Sequence, residues 1–195
     1  VSADVSTTGR IAAVILAAGA SRRLGRPKQD VVLQGETMVE RAVRIAREAG
    51  FAPVIAVLRP ADDFGYSVQC MGALPVLNDK AEEGIAASIR YGVNVAKMLH
   101  AEGAVLMTCD QIAVTMDHLR ALCAEPRRVV GSGYAGKVGI PAYFPAARFA
   151  ELLELEGDVG AREMLRGAHS VTTEALDFDV DTEEDVVRAR ALLEG

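Results

Sequence analysis

Between Leu16 and Lys28 the sequence reads LAAGASRRLGRPK, gathering small side chains and cations into one stretch behind an apolar run. Small residues at Ala17, Ala18, Gly19 and Ala20 let backbone N–H groups come close to an anion. Arg23 and Lys28 can offset phosphate charge. This chemistry suits a nucleoside triphosphate. The stretch is not a Walker loop, because five residues separate Gly19 from Gly25 and Arg26 stands where Lys-Ser/Thr would follow.

A carboxylate, Asp110, follows a second apolar run, Ala104 to Thr108. At the edge of an α/β sheet it would suit Mg²⁺, which takes one or two protein carboxylates and fills its shell with phosphate oxygens and water. Asp177, Asp179 and Asp181 alternate with Phe178 and Val180, so an extended chain sends three carboxylates to one face. One of the three can complete a metal site. An EF-hand is excluded, since Thr182 takes its glycine position and Arg188 its bidentate glutamate position. Asp181 and the acidic run after it also complement a helix N-terminus.

Other motifs carry less. Residues 131–136 match GxGxxG, but the following segment contains Pro141 and does not continue as a helix, which excludes a dinucleotide fingerprint. His100, His118 and His169 lack ligand spacing and read as surface or packing residues. Cys70, Cys109 and Cys123 are odd in number and have no CxxC spacing, so neither a disulfide framework nor a cysteine-built zinc site is expected.

The elements that must position these groups alternate. Ile11 to Leu16 is an unbroken apolar run, as in a strand buried on both faces of a parallel sheet. Thr37 and Glu40 have capping-box spacing and open a helix that stops at Gly50. Strands are expected over 53–58, 74–77, 104–108, 128–131, 140–144 and 171–176. Helices are expected over 83–101, from Thr115 to Ala124, 145–155, 161–166 and from Thr182. Ser132 to Gly139, punctuated by glycine, reads as a mobile loop. The alternation implies an α/β fold with a parallel or mostly parallel sheet and helices on both faces.

The chain has 195 residues, 50% of them hydrophobic and 25% charged, which fits one globular domain over residues 11–195 behind a loosely ordered segment at 1–10. Its net charge of −6 argues against a nucleic-acid partner. That total is uneven: residues 1–35 carry five Lys/Arg against two Asp/Glu, and residues 151–195 carry four against thirteen. The longest apolar stretch, Ile11 to Ala20, is about half the ~20 residues that span a bilayer, so no membrane partner is expected and the location expected is the cytoplasm.

The loop resembles the LAAGxSxRMGxPK signature of the MobA/MocA-like nucleotidyltransferases, with Leu24 in place of Met. Further segments are similar in the same order along nearly the whole chain. Gln34 to Met38 resembles the entry to the family's first long helix. Asn78 with Gly84, Ser88 and Ile89 resembles its nucleotide-contacting stretch, and Asp110-Gln111 its metal-binding GDQP. Gly139-Ile140-Pro141 is similar to GHP, Gly157 to Arg162 to GDxGAR, and Asp179 to Thr182 to DIDT.

The resemblance implies a three-layer Rossmann-like fold of the nucleotide-diphospho-sugar transferase type. It also implies transfer of a nucleoside monophosphate from an NTP to a phosphorylated acceptor, with molybdopterin, the molybdenum cofactor, as the expected pterin-type substrate. Arg23, Lys28 and Asp110 are then catalytic. Leu16, Ala17, Ala18, Gly19, Ala20, Ser21, Arg23, Lys28, Asn78, Gly84 and Ser88 bind nucleotide, Asp110 and Asp181 bind Mg²⁺ or its substitute Mn²⁺, and Gly139, Pro141, Asp158 and Arg162 lie on the acceptor side. Ala17-Ala18-Gly19 leans toward CTP over GTP, and a molybdoenzyme or its chaperone is an implied partner. The sequence departs from the family pattern at Cys109, Ile112 and Ile140, which replace Gly, Pro and His. Two alternatives stay open: a nucleotide-binding cofactor-delivery protein without turnover, and a cytidylyltransferase acting on a sugar or polyol phosphate.

Overall fold

A computed structural model describes residues 10–21 and 23–194; residues 1–9 of the segment expected to be loosely ordered lie outside them. In chain order the elements are β1 (Ile11–Leu16), β2 (Val32–Leu33), β3 (Glu36–Thr37), α1 (Met38–Glu48), β4 (Val54–Leu58), α2 (Gly65–Cys70), β5 (Leu74–Leu77) and α3 (Ile85–Met98). They continue with β6 (Gly103–Thr108), α4 (Met116–Leu122), β7 (Val130–Tyr134), β8 (Lys137–Pro145), α5 (Phe149–Leu153), α6 (Arg162–Leu165), β9 (His169–Thr172) and α7 (Glu183–Glu194).

Seven strands of the described residues form one sheet in the order β5-β4-β1-β6-β8-β7-β9. The first four are mutually parallel, β8 runs antiparallel to both β6 and β7, and β9 is parallel to β7. β1 is hydrogen-bonded on both sides, and its side chains alternate between two apolar layers. Ala13 and Ile15 pack with α1, α4 and α7 on one face, while Ala12, Val14 and Leu16 pack with α3, α5 and α6 on the other. This is the three-layer, mostly parallel architecture that the alternation and the family resemblance imply, and no helix of the described residues is long and apolar enough to cross a membrane.

Local signals explain the helix starts. Thr37 and Glu40 form the reciprocal capping box, and the Thr115 hydroxyl accepts the His118 amide at 3.2 Å. The strand order reverses between β1 and β6, so the connections that leave their carboxyl ends run in opposite directions and leave a crevice.

Two expectations fail. Ser132 to Gly139 is not a loop: it is the distal half of the β7–β8 hairpin, turned at Ala135 and Gly136, whose φ values of 47° and 70° give the primed geometry that a two-residue hairpin needs. The last strand covers 169–172 rather than 171–176, because Glu174–Leu176 tightens into a 3₁₀ turn.

α3 lies close on the sheet because Gly92 has no side chain. A β-carbon there would stand 2.2 Å from Val14 Cγ1 and 3.1 Å from Val57 Cγ2, both on fully buried residues. Gly92→Ala gains up to about 1 kcal/mol of helix propensity but, at so short a contact with a buried side chain, overpacks by the upper part of the usual range, about 2–3 kcal/mol, so a net loss of about 1–2 kcal/mol is expected. Thermal unfolding should show Tm lower by about 2–8 °C. An unchanged or higher Tm would overturn this account of the layer spacing.

Candidate active site

β1 ends at Leu16, and Ala17 continues it by donating its amide to Val57 O at 3.0 Å. The chain then leaves the sheet. Ser21 takes φ 48°, its carbonyl accepts the amides of Leu24 and Gly25, and its hydroxyl accepts the Lys28 amide at 2.9 Å. A side chain that can serve its own loop makes this left-handed conformation tolerable. The loop closes on itself and carries Lys28 back toward the sheet edge.

β6 delivers Asp110 to the same edge. Its carbonyl accepts the amides of Ile112 at 3.1 Å and Val180 at 3.2 Å, which stitches residues 179–181 beside it. Asp181 precedes α7, where Thr182 and Asp185 cap each other: the Thr182 amide donates to Asp185 at 2.9 Å and the Asp185 amide to Thr182 Oγ1 at 3.2 Å. The acidic run after Asp181 thus serves the helix start.

Lys28 Nζ lies 2.9 Å from Asp110 Oδ2 and also pairs with Asp181, which in turn pairs with Arg23. Lys28, Asp110 and Asp181 are only 18%, 17% and 19% exposed, so solvent screens this network weakly. Burial pulls the Lys28 ammonium down, but the two carboxylates outweigh it and hold its pKa above the ordinary lysine value. Asp179 is pushed up to about 6 by burial and by Asp110 and Asp181 beside it.

A cavity of about 430 Å³ opens over this network. Leu16, Ala17, Ala18, Gly19, Ala20, Ser21, Arg23 and Lys28 form one wall, Gly84, Ser88 and Asp158 the opposite one, and Asp110 with Asp181 the floor. Gly84 has φ 103°, and a β-carbon there would stand 2.4 Å from Asp158 Oδ1; this close approach admits Asp158 to the wall.

Asn78, Gly139, Pro141 and Arg162 do not line the cavity. Asn78 is buried and donates to Ser88 Oγ at 3.0 Å, so it orients a wall residue. Gly139 makes room for Tyr134, whose hydroxyl would stand 2.5 Å from a β-carbon at that position. The Pro141 carbonyl accepts from buried Ser132 at 2.6 Å, and Ser132 is held in turn by His118 at 2.7 Å. Arg162 is exposed at the start of α6.

The family departures are absorbed by packing. Cys109 is buried, and burial with the neighbouring Asp110 carboxylate pushes its thiol well up, so it is no thiolate nucleophile near neutral pH. Ile112 enters the apolar core, with its carbonyl accepting from Arg41 at 3.3 Å. Ile140 packs in the other apolar layer while its carbonyl accepts from Gln111 at 3.0 Å.

Sequence reasoning missed Arg59, one residue beyond β4. Its Nε donates to Ala18 O at 2.9 Å and its Nη1 lies 3.1 Å from Glu82, so it ties the two cavity walls together. Its amide donates to Asp62, which also accepts from buried Gln29, another wall residue. The one available signal was its place at a strand's carboxyl end, where α/β ligands collect.

A cavity at the strand-order reversal that offers backbone and cations on one wall and paired carboxylates beneath is made for nucleotide chemistry, and nucleotidyl transfer is the class it defines. Residues 13–173 match the MobA-like NTP transferase domain, and the chain belongs to that family. It is 33% identical to the purine catabolism protein PucB of Bacillus subtilis, over 90% of this chain and 94% of that protein. It is 30% identical to a probable molybdenum cofactor guanylyltransferase of Opitutus terrae, over 69% of this chain and 66% of that one. Among solved structures, Rv0371C of Mycobacterium tuberculosis in complex with manganese superposes with a TM-score of 0.73 at 28% identity, covering 93% of this chain and 98% of that one.

The Lys28 ammonium occupies the position between the two carboxylates, so it would compete with a metal ion offered to the nucleotide-free protein. Lys28→Ala should bind Mn²⁺ at least about tenfold more tightly, or about 1.4 kcal/mol, in an electron paramagnetic resonance titration without nucleotide. Equal affinity would refute the competition. Arg59→Met should weaken equilibrium nucleotide binding about tenfold and Arg59→Lys by less, since lysine keeps the Glu82 pair but lacks the planar fork. Wild-type affinity in both would remove Arg59 from the site.

Proposed function

We propose that this nucleotidyltransferase transfers CMP from CTP to the phosphate of a molybdopterin-type acceptor and releases pyrophosphate. The observation that carries the reading is the Lys28 ammonium held between Asp110 and Asp181 at the floor of the loop-walled cavity. An acceptor phosphate oxygen forms a bond to the α-phosphorus as the bond from that phosphorus to the bridging oxygen breaks, and the electron pair leaves with pyrophosphate. No protein nucleophile is required. An ionised phosphate needs little help from a general base, in keeping with histidines engaged elsewhere.

Asp110 and Asp181 supply an oxygen-only pair suited to Mg²⁺ or Mn²⁺, with phosphate oxygens and water completing the shell. The manganese complex of Rv0371C, 28% identical, supports the use of a divalent ion. Asp110 and Asp181 would hold such an ion, which when bound would neutralise phosphate charge and polarise the α-phosphoryl group. Lys28 exchanges its carboxylate partners for phosphate oxygens as nucleotide enters, and with Arg23 stabilises the charge that develops on the leaving pyrophosphate.

One feature favours the pyrimidine: Arg59 already occupies the Ala18 carbonyl, an acceptor useful to a guanine edge with its two kinds of N–H donor. The probable guanylyltransferase among the relatives makes GTP the competing substrate.

The test is pyrophosphate release from each NTP with Mg²⁺ and reduced pterin cofactor. CTP should exceed GTP at least about tenfold in kcat/KM, and Lys28→Ala should lower kcat about 10²–10³-fold. Preference for GTP would overturn the base assignment. Nucleotide binding without pyrophosphate release from any acceptor would overturn transfer and leave the cofactor-delivery reading.

A further inference from the structure

At the opposite edge of the sheet, β8 ends at Pro145, paired with Gly103 at the beginning of β6. The length of β6, about 17 Å at ~3.3 Å per residue, separates this edge from the one that carries Asp110. Three chain segments converge here: the residues before β7, the end of β8 with the 3₁₀ turn after it, and the stretch from α6 into the first residue of β9. Together they line an open depression of about 290 Å³ whose lining includes Arg127, Arg128, Arg148, Arg166 and His169 and no carboxylate.

The acidic partners stand outside that lining. Glu125, Glu151 and Glu163 reach Arg128, Arg148 and Arg166 at 3.3, 2.7 and 2.8 Å. Each arginine is held from one side with guanidinium donors to spare. The Nε of Arg148 is buried with no acceptor, and Arg127 makes no ion pair among the described residues. Arg128 Nη1 lies 2.9 Å from His169 Nε2; an arginine can only donate, so this ring nitrogen accepts and leaves Nδ1 to face Glu125 at 3.6 Å. His169 thereby braces Arg128 at the cavity wall.

Three of the four arginines are ion-paired, which leaves Arg127 as the uncompensated charge among the described residues of this edge. An anion meets that charge together with the spare donors of the other three. Guanidinium forks match the oxygens of phosphate in pairs, and the cavity has room for an anion of that size, with Val129, Pro145 and Met164 as its apolar walls. We propose that this edge is a second anion site that binds a small phosphate-bearing molecule, separate from the nucleotide cavity.

Pyrophosphate is the probe, titrated calorimetrically. The wild type should show two sites. Lys28→Ala, which weakens the nucleotide cavity, should retain the second. Adding Arg128→Gln and Arg148→Gln to Lys28→Ala should abolish it, whereas those two changes alone should leave turnover within about twofold of the wild type. Arg127→Gln, at an exposed and unpaired position that poses no folding risk, should weaken the second site at least threefold in the Lys28→Ala background. Identical pyrophosphate binding by Lys28→Ala with and without the arginine changes would overturn the proposal. So would displacement of pyrophosphate by a glutamate-rich peptide at concentrations below those at which pyrophosphate itself binds, which would make the edge an acidic-protein surface instead.

Discussion

The ammonium of Lys28 between the carboxylates of Asp110 and Asp181 is the contact on which the site depends. It joins residues 82 and 153 positions apart, contributed by the loop after β1, the end of β6 and the approach to α7. Two carboxylates this close and this little exposed repel each other unless a cation lies between them, and a buried charge left without its partner is strongly destabilising. The cation therefore holds the floor together in the nucleotide-free protein; under the proposed function the same group turns to the phosphates.

The remainder of the fold can be understood as support for that meeting. β1 lies between β4 and β6, so the loop and Asp110 leave neighbouring strand ends at the point where strand order reverses. The amide of Val180 on the Asp110 carbonyl brings the third segment in by main-chain hydrogen bonding, while its side chain is buried in the apolar core. α7 anchors it through buried Val186 and Ala189. The departures at Cys109, Ile112 and Ile140 fall on the packing side of these segments and leave the Asp110 carboxylate directed at Lys28.

Much of this was legible in the residues. The apolar run at 11–16, the capping pair Thr37 and Glu40, and the small-residue, cationic loop have local causes, and local causes are visible in sequence. The β7–β8 hairpin was not legible, because Gly133, Gly136 and Gly139 resemble a flexible stretch until it is known that two of them sit against Thr172 and Tyr134 and the third takes a positive φ in the turn. Asn78 was placed at the nucleotide by resemblance, yet its amide turns inward to Ser88, since side-chain direction is set by what packs above it. Arg59 was invisible for a related reason: its partners are a carbonyl 41 residues earlier and a carboxylate in the turn before α3.

The late position of Asp181 has a consequence for a chain synthesised in sequence order. The loop at 16–28 is complete while both carboxylates that will neutralise Lys28 are still untranslated, and the first 35 residues carry an excess of three positive charges. A nascent chain thus carries its cationic loop through much of translation with neither of the carboxylates that hold Lys28. Asp110 becomes available first, and the network of Lys28, Asp110 and Asp181 closes only once residue 181 has emerged, so maturation of the site is tied to translation of its last carboxylate.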